Sequence, residues 1–369
     1  MKYRHSLFSD KNPYDIQSDQ LFLEAVRENF HYQYRHCKEY RKLSDGLHFN
    51  ANALMCIEDI MRLPCIPTLF LKRHRMKSAP AFVRATSSGT SGQFSEIGFD
   101  FGALLCGFRM VRQTARMHGL LSPTPCHYII MGYQPHRGNR TAVTKTAYGA
   151  TFFAPALNRR YILKYKDGKY APDFDGIISA LKKLDNSLFP VRFMGFPSYT
   201  FFLMKQLDER GIHVTLKKGS KIMLGGGWKQ FYAEQVDKPA FYRLAEKVFG
   251  VTDRDIVEFY GAVEHPILYC DCPNHHFHVP TYSRVVIRDV DTLAPVPMGT
   301  PGLVNLITPM IRATPVLSVM TDDIGILHSG SSCGCGIQTP YLEIIGRVAP
   351  NDIKTCAAGA ADILKGVAI

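Results

Sequence analysis

Early in the chain Leu21, Phe22, Val26, Phe30 and Tyr34 recur at helical spacing, with Ser18 and Asp19 placed to cap the start, so the pattern predicts an amphipathic helix over residues 18–41. The same spacing predicts helices over 102–117, 177–184, 199–209 and 232–248. Between them stand short apolar runs at 128–131, 191–194, 222–224, 256–259, 285–287, 303–306 and 341–345, several closed by Gly, Pro or Ser, and these predict strands. Through the first two thirds strands alternate with helices, which predicts parallel sheets carrying sites at their strand ends. Residues 277–345 are rich in strands and turns, which predicts a β-rich subdomain. The expected fold class is therefore α/β, with layered sheets in one continuous globular unit over residues 1–345. No internal repeat or low-complexity tract interrupts it.

With 369 residues, 46% of them hydrophobic, the chain can bury a large core. No apolar run reaches the roughly 18 residues that a membrane span requires. The nearest, residues 101–111, is interrupted by charge. The start, Met1-Lys2-Tyr3-Arg4-His5-Ser6, has no apolar signal core, which makes the cytoplasm the expected compartment. Ten cysteines in such a chain read as metal ligands, core thiols or a nucleophile rather than a disulfide framework. The net charge of +12 suits nucleic acid, anionic substrates or an acidic partner. The densest basic run, Lys72-Arg73-His74-Arg75-Met76-Lys77, has no interleaved aromatic residues for base stacking. It is read as a solvated face, and nucleic acid is set aside.

Five segments carry candidate chemistry. Thr86-Ser87-Ser88-Gly89-Thr90-Ser91-Gly92-Gln93 is small, hydroxyl-rich and punctuated by glycine, so its backbone N–H groups and hydroxyls can approach a polyphosphate. It lacks the Gly-Lys-Ser/Thr ending of the P-loop, and composition alone would equally suit a flexible loop. Gly225-Gly226-Gly227-Trp228-Lys229 follows an apolar strand, where three glycines admit either a flat ligand or a tight turn. Glu258-Phe259-Tyr260-Gly261-Ala262-Val263-Glu264 sets a ring, a glycine and a carboxylate at a strand end, suited to stacking on a base and holding Mg²⁺. Met320-Thr321-Asp322-Asp323-Ile324-Gly325 offers a carboxylate to ribose hydroxyls, and Ile345-Gly346-Arg347 a guanidinium to phosphate. Taken singly, each could be an ordinary loop or surface residue.

In this order, the five segments resemble the adenylate-forming superfamily of acyl-CoA synthetases. The likeness lies in the branch containing phenylacetate-CoA ligase and, closer, the acyl-protein synthetases of bacterial bioluminescence. It spans nearly the whole chain, from His36-Cys37-Lys38-Glu39-Tyr40-Arg41 through Ile66-Pro67-Thr68 to Gly299-Thr300-Pro301-Gly302-Leu303 and the Asp322-Asp323 pair. The resemblance implies the adenylate-forming N-terminal domain, with ATP and Mg²⁺ as cofactors and a carboxylic acid as substrate. It makes Ser87, Ser88, Gly89, Thr90, Ser91 and Gly92 the phosphate loop. Gly225, Gly226, Gly227, Tyr260 and Gly261 would line the adenine and acyl pocket. Glu264 would assist Mg²⁺, Asp323 would hold the ribose, Arg347 would mark the junction to the C-terminal segment, and Lys229 would join the catalytic group. Asp322 departs from the glycine usual in the wider superfamily.

Beyond that junction only a rudimentary tail, residues 346–369, remains where coenzyme A-dependent relatives continue. It carries Lys354-Thr355-Cys356-Ala357-Ala358, similar to the tail in which the acyl-protein synthetases place an acyl-accepting cysteine. Cys356 is thus the expected nucleophile, activated by neighbouring lysine, and an acyl reductase or other acyl-transferring protein the expected partner. The rivals are an acyl- or aryl-CoA ligase, or a ligase serving a carrier protein, and a non-catalytic nucleotide-binding scaffold. Cys270, Cys272, His278, Cys333 and Cys335 form a second constellation, in which paired Cys-x-Cys turns can converge on a structural Zn²⁺ or remain free thiols. The phenylacetate-CoA ligase branch has a similar arrangement, whereas the luminescence enzymes lack the second pair. Oligomeric state and acyl chain length are not legible.

Overall fold

The computed structural model describes residues 2–9, 12–87, 94–139 and 141–347, apart from the side chains of Lys229, Gln230 and Tyr232. The described residues fall into two compact units, one formed by the chain up to Gln113 together with the chain from Gly261 onward, the other by Thr114–Tyr260.

In the second unit, strands Ile256–Tyr260, Lys221–Gly225, Val191–Gly195, Cys126–Tyr133, Ala156–Lys166 and Lys169–Pro172 lie side by side in that order. All neighbours are parallel except the last pair, an antiparallel hairpin. Side chains alternate across a strand, so a sheet covered on both faces needs apolar residues at every position. Ile129 and Met131, Phe193, Ile222 and Leu224 feed one core with the helices Phe174–Lys182, Pro197–Glu209 and Lys238–Phe249. Tyr128, Ile130, Met194 and Met223 feed the other, with Ala147 and Ala150 from the helix Ala142–Ala150.

In the first unit, an antiparallel sheet runs in the order Phe277–His278, Tyr341–Arg347, Ser318–His328, Gly302–Ile307, Arg284–Arg288. Ile66–Pro67 joins it in parallel beside Val319 and Met320. This is the strand-rich region read from the sequence. A separate hairpin pairs Val83–Thr86 with Glu96–Phe99.

Most expected elements are present with their ends moved by a few residues, and three differ for identifiable reasons. The helix expected over 18–41 is two helices, Asp19–His36 and Lys38–Gly46, separated by extended Cys37. The break lets buried Tyr40 meet Phe30 edge-on at 5.8 Å. In an unbroken helix the two would stand about 15 Å apart along the axis. The helix expected over 232–248 begins at Lys238, where Pro239 enters its first turn and the Asp237 carboxylate caps the Ala240 N–H. Strand Ala156–Lys166 escaped the pattern because Asn158, Arg159, Arg160 and Lys164 interrupt its apolar residues.

The helix Asp19–His36 is fastened by amides. Asn29 Nδ2 donates to the carbonyls of Pro309 and Ile311 at 2.9 and 2.8 Å, and Gln33 Nε2 donates to that of Ile311 at 3.1 Å, all inside the core. Replacing Asn29 by leucine takes the amide donor from the buried Pro309 carbonyl and leaves that of Ile311 to Gln33 alone. Asn29→Leu is therefore expected to lower unfolding free energy by about 2–4 kcal/mol, read as a fall in the urea midpoint at unchanged slope.

Candidate active site and metal centre

The antiparallel pairing of Val83–Thr86 with Glu96–Phe99 carries Ser87 and Ser95 to the foot of the hydroxyl-rich loop. Ser87 N–H donates to the Ser95 carbonyl at 3.1 Å, and Ser95 N–H donates to Ser87 Oγ at 3.0 Å. The loop therefore springs from a closed base. Ser88, Gly89, Thr90, Ser91 and Gly92 lie outside the described residues, as does Cys356, and the side chain of Lys229 is likewise not described.

Fully buried Ser95 donates its hydroxyl to the carboxylate of Glu264, itself only 4% exposed. Burial pushes the Glu264 carboxyl above its ordinary range, against the downward pull of the Ser95 hydrogen bond. Lys72 adds a smaller pull down and Asp322 a smaller push up. Asp322 is clasped from one face of the helix Thr68–Arg73, with Thr68 Oγ1 donating to it at 2.8 Å and Lys72 Nζ lying 3.5 Å away. Pairing of Ile66–Pro67 with Val319 and Met320 sets that helix beside the strand. Asp323 pairs instead with Arg347, whose Nε donates to it at 3.0 Å.

Ser87, Gly261, Glu264, Asp323 and Arg347 belong to the first unit, and Gly225, Gly226, Gly227 and Tyr260 to the second. At Gly261 a Cβ would stand 2.8 Å from the Ile267 carbonyl, so the backbone passes too closely for a side chain. Gly226 and Gly227 have φ of +85° and +68°, and the triplet turns the chain out of the strand Lys221–Gly225 into the 3-10 segment Lys229–Glu234. Trp228 is buried against Phe201.

Cys272, His278, Cys333 and Cys335 come together, their ligand atoms all within 4.8 Å of one another. Cys272 Sγ and Cys333 Sγ are 3.5 Å apart, and Cys335 Sγ lies 3.3 Å from His278 Nε2. Edges of a tetrahedral zinc–thiolate site measure roughly 3.7 Å, so the four fit that ion with little adjustment. His278 Nδ1 donates to the Thr339 carbonyl at 2.7 Å, which leaves Nε2 as the ligating atom. The Asn274 N–H points at Cys272 Sγ at 3.4 Å, and His276 Nδ1 approaches Cys333 Sγ at 3.1 Å. Cys270 is buried nearby in sequence but is not one of the four.

A protein-family model described as acyl-protein synthetase, LuxE, matches residues 6–364. The chain belongs to that family. A long-chain-fatty-acid–luciferin-component ligase of Aliivibrio fischeri is 24% identical over 347 residues, covering 93% of this chain and 88% of that protein. Among solved structures, 2-hydroxyisobutyryl-CoA ligase with 2-HIB-AMP and CoA in its thioesterification state matches at TM-score 0.67 and 17% identity, covering 94% of this chain and 74% of that one. The open conformation of the same ligase matches at TM-score 0.65 and 16% identity, over 89% and 74%. The fold is that of the adenylate-forming ligases.

Thr68, Lys72 and Ser95 were not singled out by sequence reading as members of this cluster. Lys72 was absorbed into a basic run, although its four-residue offset from Thr68 puts both on one helix face, a signal that becomes usable once the strand beside them is known.

The neighbour of Glu264, His265, is wholly buried, with Nε2 3.2 Å from Tyr269 OH and 3.1 Å from Ser283 Oγ. Burial holds its pKa down to about 3, against an ordinary value of 6.5. The folded protein thus binds fewer protons there than the unfolded chain. The stability that neutral His265 contributes is present above pH 6.5 and lost as pH falls toward 3. Between those limits the urea midpoint of the parent is expected to fall more steeply than that of His265→Asn; parallel slopes would contradict this assignment.

Proposed function

We propose that the chain is an ATP-dependent acyl-activating ligase that converts a carboxylic acid, of the long-chain fatty class, into an acyl-adenylate and passes the acyl group to Cys356. The observation that carries this reading is buried Glu264, held by Ser95 at the closed foot of the hydroxyl-rich loop. Membership of the acyl-protein synthetase family and the likeness to the fatty-acid ligase of A. fischeri support it.

In this reading a carboxylate oxygen of the acid attacks the α-phosphorus of ATP and pyrophosphate departs. Ser87 and the residues 88–92 offer N–H and hydroxyl donors to the phosphates. Gly225, Gly226, Gly227, Tyr260 and Gly261 line the adenine and acyl pocket, Asp323 holds the ribose hydroxyls, and Arg347 and Lys229 offer positive charge. Glu264 is an oxygen ligand of the kind Mg²⁺ selects, and bound Mg²⁺ would supply charge neutralisation at the leaving pyrophosphate. The Cys356 thiolate then attacks the acyl carbon, a carbon–sulfur bond forms, and AMP leaves with the electron pair of the broken C–O bond. A partner such as an acyl reductase would collect the thioester. The four Cys/His groups would hold a structural Zn²⁺, since four protein ligands leave no position for substrate.

Intact-protein mass spectrometry after incubation with ATP, Mg²⁺ and a panel of carboxylic acids tests the reaction. A hydroxylamine-labile acyl adduct is expected on the parent and not on Cys356→Ser, which should still release pyrophosphate. Glu264→Gln is expected to slow pyrophosphate release on the order of a hundredfold. Release without an adduct would move the acceptor to coenzyme A or a carrier protein, and neither signal would leave a binding role. Elemental analysis of protein purified without chelator is expected to find about one zinc per chain, lost in Cys335→Ser together with several degrees of melting temperature.

A further inference from the structure

The helix Phe101–Met117 is apolar on two faces. Ala103, Cys106 and Met110 are buried against its own unit. On the other side Phe101, Leu105 and Phe108, four and three residues apart, form one stripe, with Phe101 68% and Phe108 66% exposed. Phe82, 70% exposed at the start of the hairpin, extends the stripe, its ring edge-on to Phe101 at 5.8 Å. A packed helix ordinarily turns polar residues outward. Contiguous aromatic surface in their place marks a contact site.

The exposed charged side chains named beside this ridge are basic. Arg112, the next position of the stripe, is exposed. The chain leading to Phe82 carries exposed Arg75 and Lys77, which with Arg84 and Glu96 line a groove of about 270 Å³. Arg75 and Lys77 belong to the basic run that the sequence presents as a solvated face. The neighbouring carboxylates are engaged: Glu96 with Arg84 at 3.1 Å, and Asp100 with Arg4 at 3.0 Å and with the Arg312 N–H at 2.8 Å.

A second copy of the chain on this face would set arginine against arginine. Rings two-thirds exposed suit insertion at the boundary of lipid head groups and acyl chains, with basic side chains at the level of the phosphates.

We propose that the Phe82–Phe101–Leu105–Phe108 ridge and the cations beside it form a docking face for an anionic lipid surface. The rings enter the interface while Arg75, Lys77 and Arg112 meet lipid phosphates, and the chain lies on the bilayer without crossing it. Its purpose rests on the function proposed above, because a long-chain acid partitions into bilayers and is met there. The binding itself is independent of catalysis.

Flotation of the full-length protein with vesicles of phosphatidylcholine alone, and with an equal part of phosphatidylglycerol, tests the face. Binding is expected on the mixed vesicles, little on phosphatidylcholine alone, and weakening with added salt. Phe101→Ser with Phe108→Ser is expected to reduce partitioning roughly tenfold or more. Arg75→Glu with Lys77→Glu is expected to reduce it by at least about fivefold per charge. All these side chains are exposed, so the variants should unfold at the parent's midpoint, which is checked alongside. Absence of binding to the mixed vesicles overturns the proposal, and so does equal binding by the phenylalanine variant. If that variant instead loses a self-associated or partner-bound form on size exclusion while the parent ignores vesicles, the face belongs to a protein. Pyrophosphate release with a short, water-soluble acid is measured separately, so failure of the lipid face and failure of the ligase reading are distinguishable.

Discussion

A carboxylate taken out of water needs donors inside the fold, and Glu264 imposes that need on the first unit. Its donor is the Ser95 hydroxyl, and Ser95 is itself held by backbone and side-chain bonds to Ser87. Strand register, the foot of the glycine- and serine-rich loop and the direction of the carboxylate are therefore linked. A shift of one residue in the pairing of Val83–Thr86 with Glu96–Phe99 would turn Ser95 to the other face and leave Glu264 buried without its hydroxyl donor. Burial holds the Glu264 carboxyl above its ordinary range in spite of the Ser95 hydroxyl and a backbone N–H, both of which pull it down. A cation arriving beside it would find a ligand whose charge the protein alone stabilises poorly, which favours binding over a solvated carboxylate.

The two consecutive aspartates work by the same geometry. Side chains alternate along a strand, so Asp322 and Asp323 must face opposite ways. One is taken by Thr68 and Lys72 and the other by Arg347. The Asp322 carboxylate gives the strand an anchor on the helix Thr68–Arg73. That anchor holds the strand on the side opposite to the one from which Asp323 projects. Both ion pairs are largely shielded on the carboxylate side, which raises their value above that of exposed pairs.

The parallel strands of the second unit were legible because burial on both faces writes an unbroken apolar run, as in Tyr128-Ile129-Ile130-Met131. The strand Ala156–Lys166 was not, because its arginines and lysines interrupt the run. The break at Cys37 was invisible because it is set by a tertiary contact, Tyr40 on Phe30, and not by any local helix-stopping residue. At the candidate site the carboxylates and glycines were readable as motifs. Their supports, Ser95 and the Thr68–Lys72 face, were not, since a serine or lysine acquires such a role only from what the fold sets opposite it.

The cysteines divide by environment. Cys37 and Cys106 are buried, and burial pushes both thiols up to about 11; Cys126 and Cys270 are raised by burial as well. Cys272, Cys333 and Cys335 face one another and His278. Cys65 packs against Leu303 and Met320. Cys56 is exposed, but hydrogen bonds to Glu58 and Asp59 raise its thiol, because a thiolate there would meet two carboxylates. An acyl acceptor needs an accessible sulfur with thiolate character near neutral pH. Burial opposes this at Cys37, Cys106, Cys126 and Cys270 and neighbouring negative charge at Cys56, while Cys272, Cys333 and Cys335 are turned toward one another. Cys356 differs from them in its sequence surroundings, with Lys354 two residues before it and small alanines after it. A chain that activates carboxylic acids needs its other thiols kept unreactive toward its own intermediate. The surroundings of Cys37, Cys56, Cys106, Cys126 and Cys270 meet that need, as the proposed acceptor in the tail requires.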